Sequence, residues 1–275
     1  MLLLPGPTDS WCSYQTVFEH LPRETDVVAV SQRGHGESDK PDGGYGIQDF
    51  AGDVILLLDA LGIARAVLAG HSGSCLVARR VALDQPGRVA GLLLESSPTT
   101  LRDDPQLVGS IESLMSELED PITPDFARSF LTQTSSADLR PELVDLLVAE
   151  LLKVPARVWQ ETFSELLEYD DLSELGRIEA PTLLLWGDVD PVVPRGMQDR
   201  LARSIPDSRL PSPRLSRRRA YPAPGKPRAL RQRPRELFPS SSGDAALTRK
   251  PSACSRRSPT APSGTPTRAR RTSPG

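Results

Sequence analysis

Short runs of consecutive apolar residues, separated by helix-patterned stretches, restrict the folds open to this chain more than anything else in it. Met1–Leu4, Val27–Val30, Ala66–Ala69, Val89–Leu94 and Thr182–Trp186 lack the polar–apolar alternation of a sheet with one wet face. A strand apolar on both sides must be covered on both sides, the condition of a parallel sheet flanked by helices. The stretches between the runs carry helical periods. Pro5 to Ser10 forms a turn that can cap a helix over Trp11 to Leu21. Ile47, Phe50, Ala51, Val54, Leu57, Leu58 and Leu61 keep a second helical face, which Gly62 ends. This β-α-β-α order predicts an α/β, doubly wound, mostly parallel sheet.

At Ala66–Ala78 a buried strand passes directly into a helix, with Ser72 at the joint between Gly70 and Gly73. G-x-S-x-G at such a joint is the form of a nucleophile elbow, where a sharp turn lifts a hydroxyl above the sheet. Residues beside the serine must be small. Ser74, standing where the last glycine is usual, is a small departure. The helix after the turn aims its first N–H groups at whatever binds there, which favours a developing oxyanion. A plain strand-turn-helix with a capping serine would give the same pattern.

From about Pro98 to Leu175 no strand pattern occurs. Leu107, Ile111, Leu114 and Leu118 share one apolar face, Leu143, Leu146, Leu147 and Leu151 a second, and Val158, Phe163 and Leu167 a third. Short helices inserted between two strands suggest a lid over a site. Met197 to Ile205 reads as a helix, and Asp207–Leu210 as the approach to a further strand that the sequence does not complete.

The charge distribution changes abruptly there. The chain holds 33 Lys+Arg and 36 Asp+Glu, of which 16 and 2 fall from Pro211 onward, so the body is net −17 and the tail +14. The tail also holds 12 of the 27 prolines. It cannot bury enough apolar surface to offset ordering entropy and is expected to be disordered. The resulting division is 1–97 core, 98–175 helical lid, 176–210 core and 211–275 tail. Cys12, Cys75 and Cys254 have no metal-ligand spacing and suit free thiols in a reducing compartment. The opening Met1–Leu4 is too short for a signal peptide or a membrane span. A cytoplasmic protein without membrane attachment is the expectation.

Taken in order, four features resemble the α/β-hydrolase superfamily. They are Leu2–Trp11 as strand and oxyanion loop, Gln32–Ser38 as the R-G-x-G-x-S loop, the elbow, and Trp186–Pro194 at a strand end. The resemblance covers residues 1 to about 210 and points to the small soluble esterases, lactonases and cofactor-free haloperoxidases. It implies Ser72 as nucleophile and Asp190, which directly precedes a Pro-x-x-Pro turn, as the acid that orients a histidine. Asp188 is expected to be a turn carboxylate bonding local N–H groups. The oxyanion hole should use the N–H of Gly73 and, because Pro7 has none to give, that of Thr8. His35 and Arg33 are expected to fix their own loop, His71 to point away from the Ser72 hydroxyl, and Cys75 to be buried packing.

A serine hydroxyl needs a base within hydrogen-bond reach. In this family a histidine follows the acid. Here the three histidines, His20, His35 and His71, all precede Asp190. Two explanations are open. The tail reads as a shifted frame of a GC-rich gene, supported by the composition change in mid-strand after Leu210. Alternatively, the fold is a catalytically dead scaffold whose basic tail binds nucleic acid or acidic partners. Tyr221 and Phe238 are the tail's only aromatics, so stacking-based nucleic-acid recognition is disfavoured. A chain that starts inside the first strand agrees with a truncated, frame-shifted gene. The resemblance implies acyl-enzyme hydrolysis of an ester, lactone or related acyl bond in a small-molecule substrate. It implies a crippled enzyme in this chain, with no cofactor and no metal.

Overall fold

The computed structural model describes residues 1–135, 139–188 and 190–211. Six parallel strands, β1 (Leu2–Leu4), β2 (Val28–Ala29), β3 (Ala66–His71), β4 (Val89–Glu95), β5 (Thr182–Leu185) and β6 (Ser208–Arg209), form one sheet in the order β2-β1-β3-β4-β5-β6. The chain order reverses beside β1 and β3, which is where a doubly wound sheet opens a crevice at the carboxyl ends of its strands.

Strand residues alternate between two cores because successive side chains point to opposite faces. Leu2, Leu4, Leu68, Leu92, Leu94 and Leu184 belong to the larger core, with Phe50, Val54 and Leu58 of α2 (Ile47–Ala60) and Val77 and Val81 of α3 (Ser74–Asp84). Leu3, Ala69, Leu93 and Leu183 face the other way. They meet Tyr14, from a short 3-10 turn at Trp11–Tyr14, and Val17, from α1 (Gln15–Phe18). Covered on both faces, the central strands require the unbroken apolar runs seen in the sequence.

Four helices lie between β4 and β5: α4 (Pro105–Ser116), α5 (Pro124–Thr134), α6 (Pro141–Leu151) and α7 (Ala156–Glu168). Each of α4, α5 and α6 opens with proline in its first turn, where the missing N–H costs nothing. Trp159 of α7 is fully buried, edge-on to Phe130 of α5 at 4.8 Å between ring centroids. Glu161 of α7 accepts the N–H groups of Gly44 at 2.8 Å and Tyr45 at 3.0 Å, tying this helical layer to the loop before α2.

The sheet margins differ from the sequence reading. Val27–Val30 forms only the two-residue β2. Asp207–Leu210, read as an approach to a strand, does contain one, because Ser208 and Arg209 pair with Thr182 and Leu183 beside β5. The intervening α8 (Arg195–Ser204) buries Leu201 in the larger core. The segment from 212 onward, expected to be disordered, lies outside the described residues, as does Cys254.

Candidate active site

The elbow turn is forced by close approaches that only glycine permits. A Cβ on Gly70 would stand 2.7 Å from Ser74 O and 2.8 Å from Cys75 N. One on Gly73 would stand 2.7 Å from the Pro7 ring, so the loop after β1 lies directly against the elbow. Ser72 between them has φ +53°, and its N–H donates to Glu95 O at 2.8 Å, anchoring the turn to β4. Gly73 has helical dihedrals at the start of α3, where an N–H has no partner within the helix. Ser74, the departure from the glycine pattern, has a use: its hydroxyl donates to Pro5 O and accepts from Gln32 Nε2 at 2.9 Å. Sequence reading placed Ser74 in the elbow and Gln32 in the loop that ends at Ser38 but did not foresee that they bond each other.

Gly6-Pro7-Thr8-Asp9 closes with Asp9 N–H on Gly6 O at 3.1 Å, with Thr8 at φ +70°. Proline second and a positive φ third make a type II turn. The non-glycine residues with positive φ among those described are Thr8, Ser72 and Ser96. Such conformations cost about 1–3 kcal/mol each and gather at functional sites. Here Ser72 and Ser96 line one cavity and Thr8 sits in the loop beside it.

That cavity has a volume of about 370 Å³. Gly6, Pro7, Asp9, His71, Ser72, Gly73 and Asp190 line one part of it. The sequence-derived residues Ser72, Gly73 and Asp190 therefore come together. Thr8 does not line it; that side chain is fully buried and its hydroxyl donates to Pro7 O. His71, expected to point away, lines the same cavity, and a Cβ on Gly6 would stand 2.9 Å from its Nδ1. Asp9 and Ser96 were not foreseen; the acidic residue in the loop after β1 was the available sign.

Asp190 Oδ1 accepts the N–H groups of Val192 and Val193, each at 2.9 Å, while Oδ2 is buried with no hydrogen-bond partner among the described residues. Asp190 itself thus forms the turn bonds to Val192 and Val193, and Asp188, expected to be a turn carboxylate, is exposed two residues before it. His35 is fully buried with Nδ1 2.6 Å from Arg33 O, and burial lowers its pKa to about 4. Arg33 forks onto Asp53 of α2, tying its loop to that helix, while His35 is held within the loop. Cys75 is buried with Sγ 3.1 Å from Gly70 O, and burial pushes its thiol up to about 12. No cluster among the described residues is arranged to hold a metal ion.

Glu95, half-buried at the end of β4, is raised from 4.5 to about 7 by burial and then by the Asp190 carboxylate. The folded chain holds that proton more tightly than the unfolded chain. Stability from this group is therefore full below pH 4.5 and declines as pH rises through 7. Glu95→Gln, with no proton to lose, is expected to exceed the parent by under about 1 kcal/mol at pH 5 and by about 3 kcal/mol at pH 8. Urea unfolding of both proteins at the two pH values checks this. An equal difference at both would show that the carboxylate is not desolvated.

The profile of the alpha/beta hydrolase fold matches residues 1–212. A non-heme chloroperoxidase of Streptomyces lividans is 31% identical over 202 residues, covering 69% of this chain and 72% of that protein. A 3-oxoadipate enol-lactonase of Acinetobacter baylyi is 29% identical over 166 residues, covering 60% and 62%. Among solved structures, an esterase from a Rhodococcus species superposes with a TM-score of 0.73 at 25% identity, covering 88% of this chain and 90% of that one. A thermophilic esterase from Thermogutta terrifontis gives 0.75 at 23% identity, covering 86% and 89%, a likeness of fold alone.

Proposed function

The chain belongs to the α/β-hydrolase family, and on that premise we propose that it is a serine hydrolase that cleaves an ester, lactone or related acyl bond through an acyl-enzyme on Ser72. The observation that carries this reading is the placement of Ser72, at φ +53° on its turn, in one cavity with Gly73 and Asp190. A base takes the Ser72 proton as the oxygen attacks the acyl carbon, the carbonyl oxygen gains the charge, the proton passes to the leaving oxygen as its bond to the acyl carbon breaks, and water then cleaves the acyl-enzyme to release the acid and restore the hydroxyl. The Gly73 N–H stabilises the oxyanion, while Thr8, the second donor expected from the sequence, does not line the cavity. The buried, unpartnered Oδ2 of Asp190 is the acceptor for the N–H of a base that orients toward Ser72. Helices α4 to α7 act as the lid that shapes the acyl site.

The chain carries no histidine after Asp190, so turnover is crippled at proton transfer. The +14 segment from Pro211 is a shifted reading frame, and the nucleotide sequence past codon 210 tests that. A histidine in neither alternative frame within about 40 codons, roughly the few elements that connect a strand to its following loop, rejects it.

The nucleophile is tested by mass spectrometry after incubating the full chain with p-nitrophenyl butyrate and imidazole. A butyryl group on the peptide carrying Ser72, absent from Ser72→Ala, is the expected result. Butyrylation confined to lysines, equal in both proteins, overturns it.

A further inference from the structure

The cavity wall formed by the helical layer has a chemistry of its own. Leu107, Ile111 and Leu114 of α4, Phe130 of α5, and Phe163 and Leu166 of α7 line it. Polar side chains among them are turned to other work. Ser110 Oγ donates to Gln106 O at 2.8 Å, Thr134 Oγ1 to Phe130 O at 2.9 Å, and Gln133 Nε2 to Ser129 Oγ at 2.9 Å. Ser96 Oγ and Asp190 Oδ2, buried with no hydrogen-bond partner among the described residues, belong to residues on the strand-end loops. No lysine or arginine lines the cavity among the described residues, whereas Asp9 and Asp190 do. A carboxylate carried against the α4, α5 and α7 side chains would lose its water and find no lysine or arginine there, and an ion without a partner is costly to bury. Its volume of about 370 Å³ lies near the small end of ligand sites, which run from about 300 to 1,000 Å³.

We propose that the lid-side cavity selects an uncharged, apolar acyl group of medium length and rejects acyl groups that carry a carboxylate. The proposal rests on the reading of Ser72 as nucleophile for its acyl end, but the selection itself resides in the α4, α5 and α7 side chains. It separates this chain from hydrolases whose substrates are dicarboxylic acid derivatives.

The test uses stable anilides, so binding is measured apart from turnover. Acetanilide, butyranilide, hexananilide and the monoanilide of adipic acid are titrated calorimetrically at pH 8 into the full chain and into Ser72→Ala. Kd is expected to fall along the three uncharged anilides by about tenfold or more, since each buried methylene contributes up to about fourfold. The adipic monoanilide, a hexananilide skeleton with a terminal carboxylate, should bind at least about tenfold more weakly than hexananilide. Leu114→Arg, at a position 38% exposed, places a cation at the wall without disturbing the core and should largely erase that discrimination. Equal or tighter binding of the monoanilide by the parent chain, or no dependence on chain length, overturns the proposal. Unchanged discrimination in Leu114→Arg puts the binding elsewhere and overturns it too. Because Ser72→Ala is titrated in parallel, a failed acyl adduct on Ser72 leaves these results standing as a separate outcome.

Discussion

With p-nitrophenyl butyrate at pH 8, the full chain is expected to turn over at close to the uncatalysed rate and to gain about tenfold or more when imidazole is supplied in solution. Loss of the histidine from a serine hydrolase lowers kcat by about 10⁶, roughly 8 kcal/mol of barrier. Gly73, Asp190, His35 and His20 do not replace it. Gly73 can stabilise a negative oxygen only after the hydroxyl has been deprotonated. Asp190 already spends Oδ1 on Val192 and Val193 and leaves Oδ2 for a partner. His35 is buried against Arg33 O with its pKa lowered to about 4, and His20 stands beside Glu19, on a segment that does not line the cavity. Dissolved imidazole is a proton acceptor of the missing kind, so a rate that rises with its concentration and vanishes in Ser72→Ala would locate the defect. A kcat above about 1 s⁻¹ without imidazole, within the ordinary enzyme range and abolished by Ser72→Ala, would mean that another base serves. His71, which lines the cavity, would then be the residue to replace.

The fold was readable because burial on two faces leaves a mark in every strand: Leu92, Leu93 and Leu94 are all apolar, yet alternate between separate cores. The elbow was readable for a related reason, since Gly70 answers backbone contacts, and Gly73 a contact with the Pro7 ring, that an added side chain would break. What escaped is what depends on distant segments meeting. Nothing around Ser74 predicts that its hydroxyl bridges Pro5 O and Gln32. Nothing around Ser96 announces that it borders the cavity with Ser72 and Asp9. The short β6 was read only as the approach to a strand, because two paired residues carry no period of their own. Asp188 and Asp190 were assigned different jobs on local pattern, and the structure gives the turn bonds to Asp190 because its carboxylate reaches the amides two and three residues on.

Arg79 shows the same gap with a larger energetic consequence, and its replacement is the second expected result. In sequence it is one of two arginines on the elbow helix and would be read as solvated. In the fold it is fully buried, while Arg80 turns outward to Asp84 and Glu174. Arg79 Nε and Nη2 bind Asp171 at 3.0 and 2.7 Å, Nη1 donates to Pro98 O at 2.7 Å, and Nη2 to Thr99 O at 2.9 Å. Asp171 is 1% exposed, and its burial raises its pKa even though the guanidinium pulls it back. Taking two charges out of water costs about what their attraction returns, so the pair contributes little net, but either charge alone is a heavy loss. Arg79→Met and Asp171→Leu are each expected to lower unfolding free energy by about 3–5 kcal/mol, a large share of the roughly 5–15 kcal/mol typical of a domain. The double variant leaves no buried ion and should recover most of that loss, short of the donors that Pro98 O and Thr99 O no longer receive. Urea unfolding of the three variants against the parent measures it. Losses that simply add in the double variant would show that the two charges act independently. Recovery would show that Arg79 and Asp171 act as one unit, holding the 97–99 loop, whose Pro98 lines the cavity, against the helix that Ser72 opens onto.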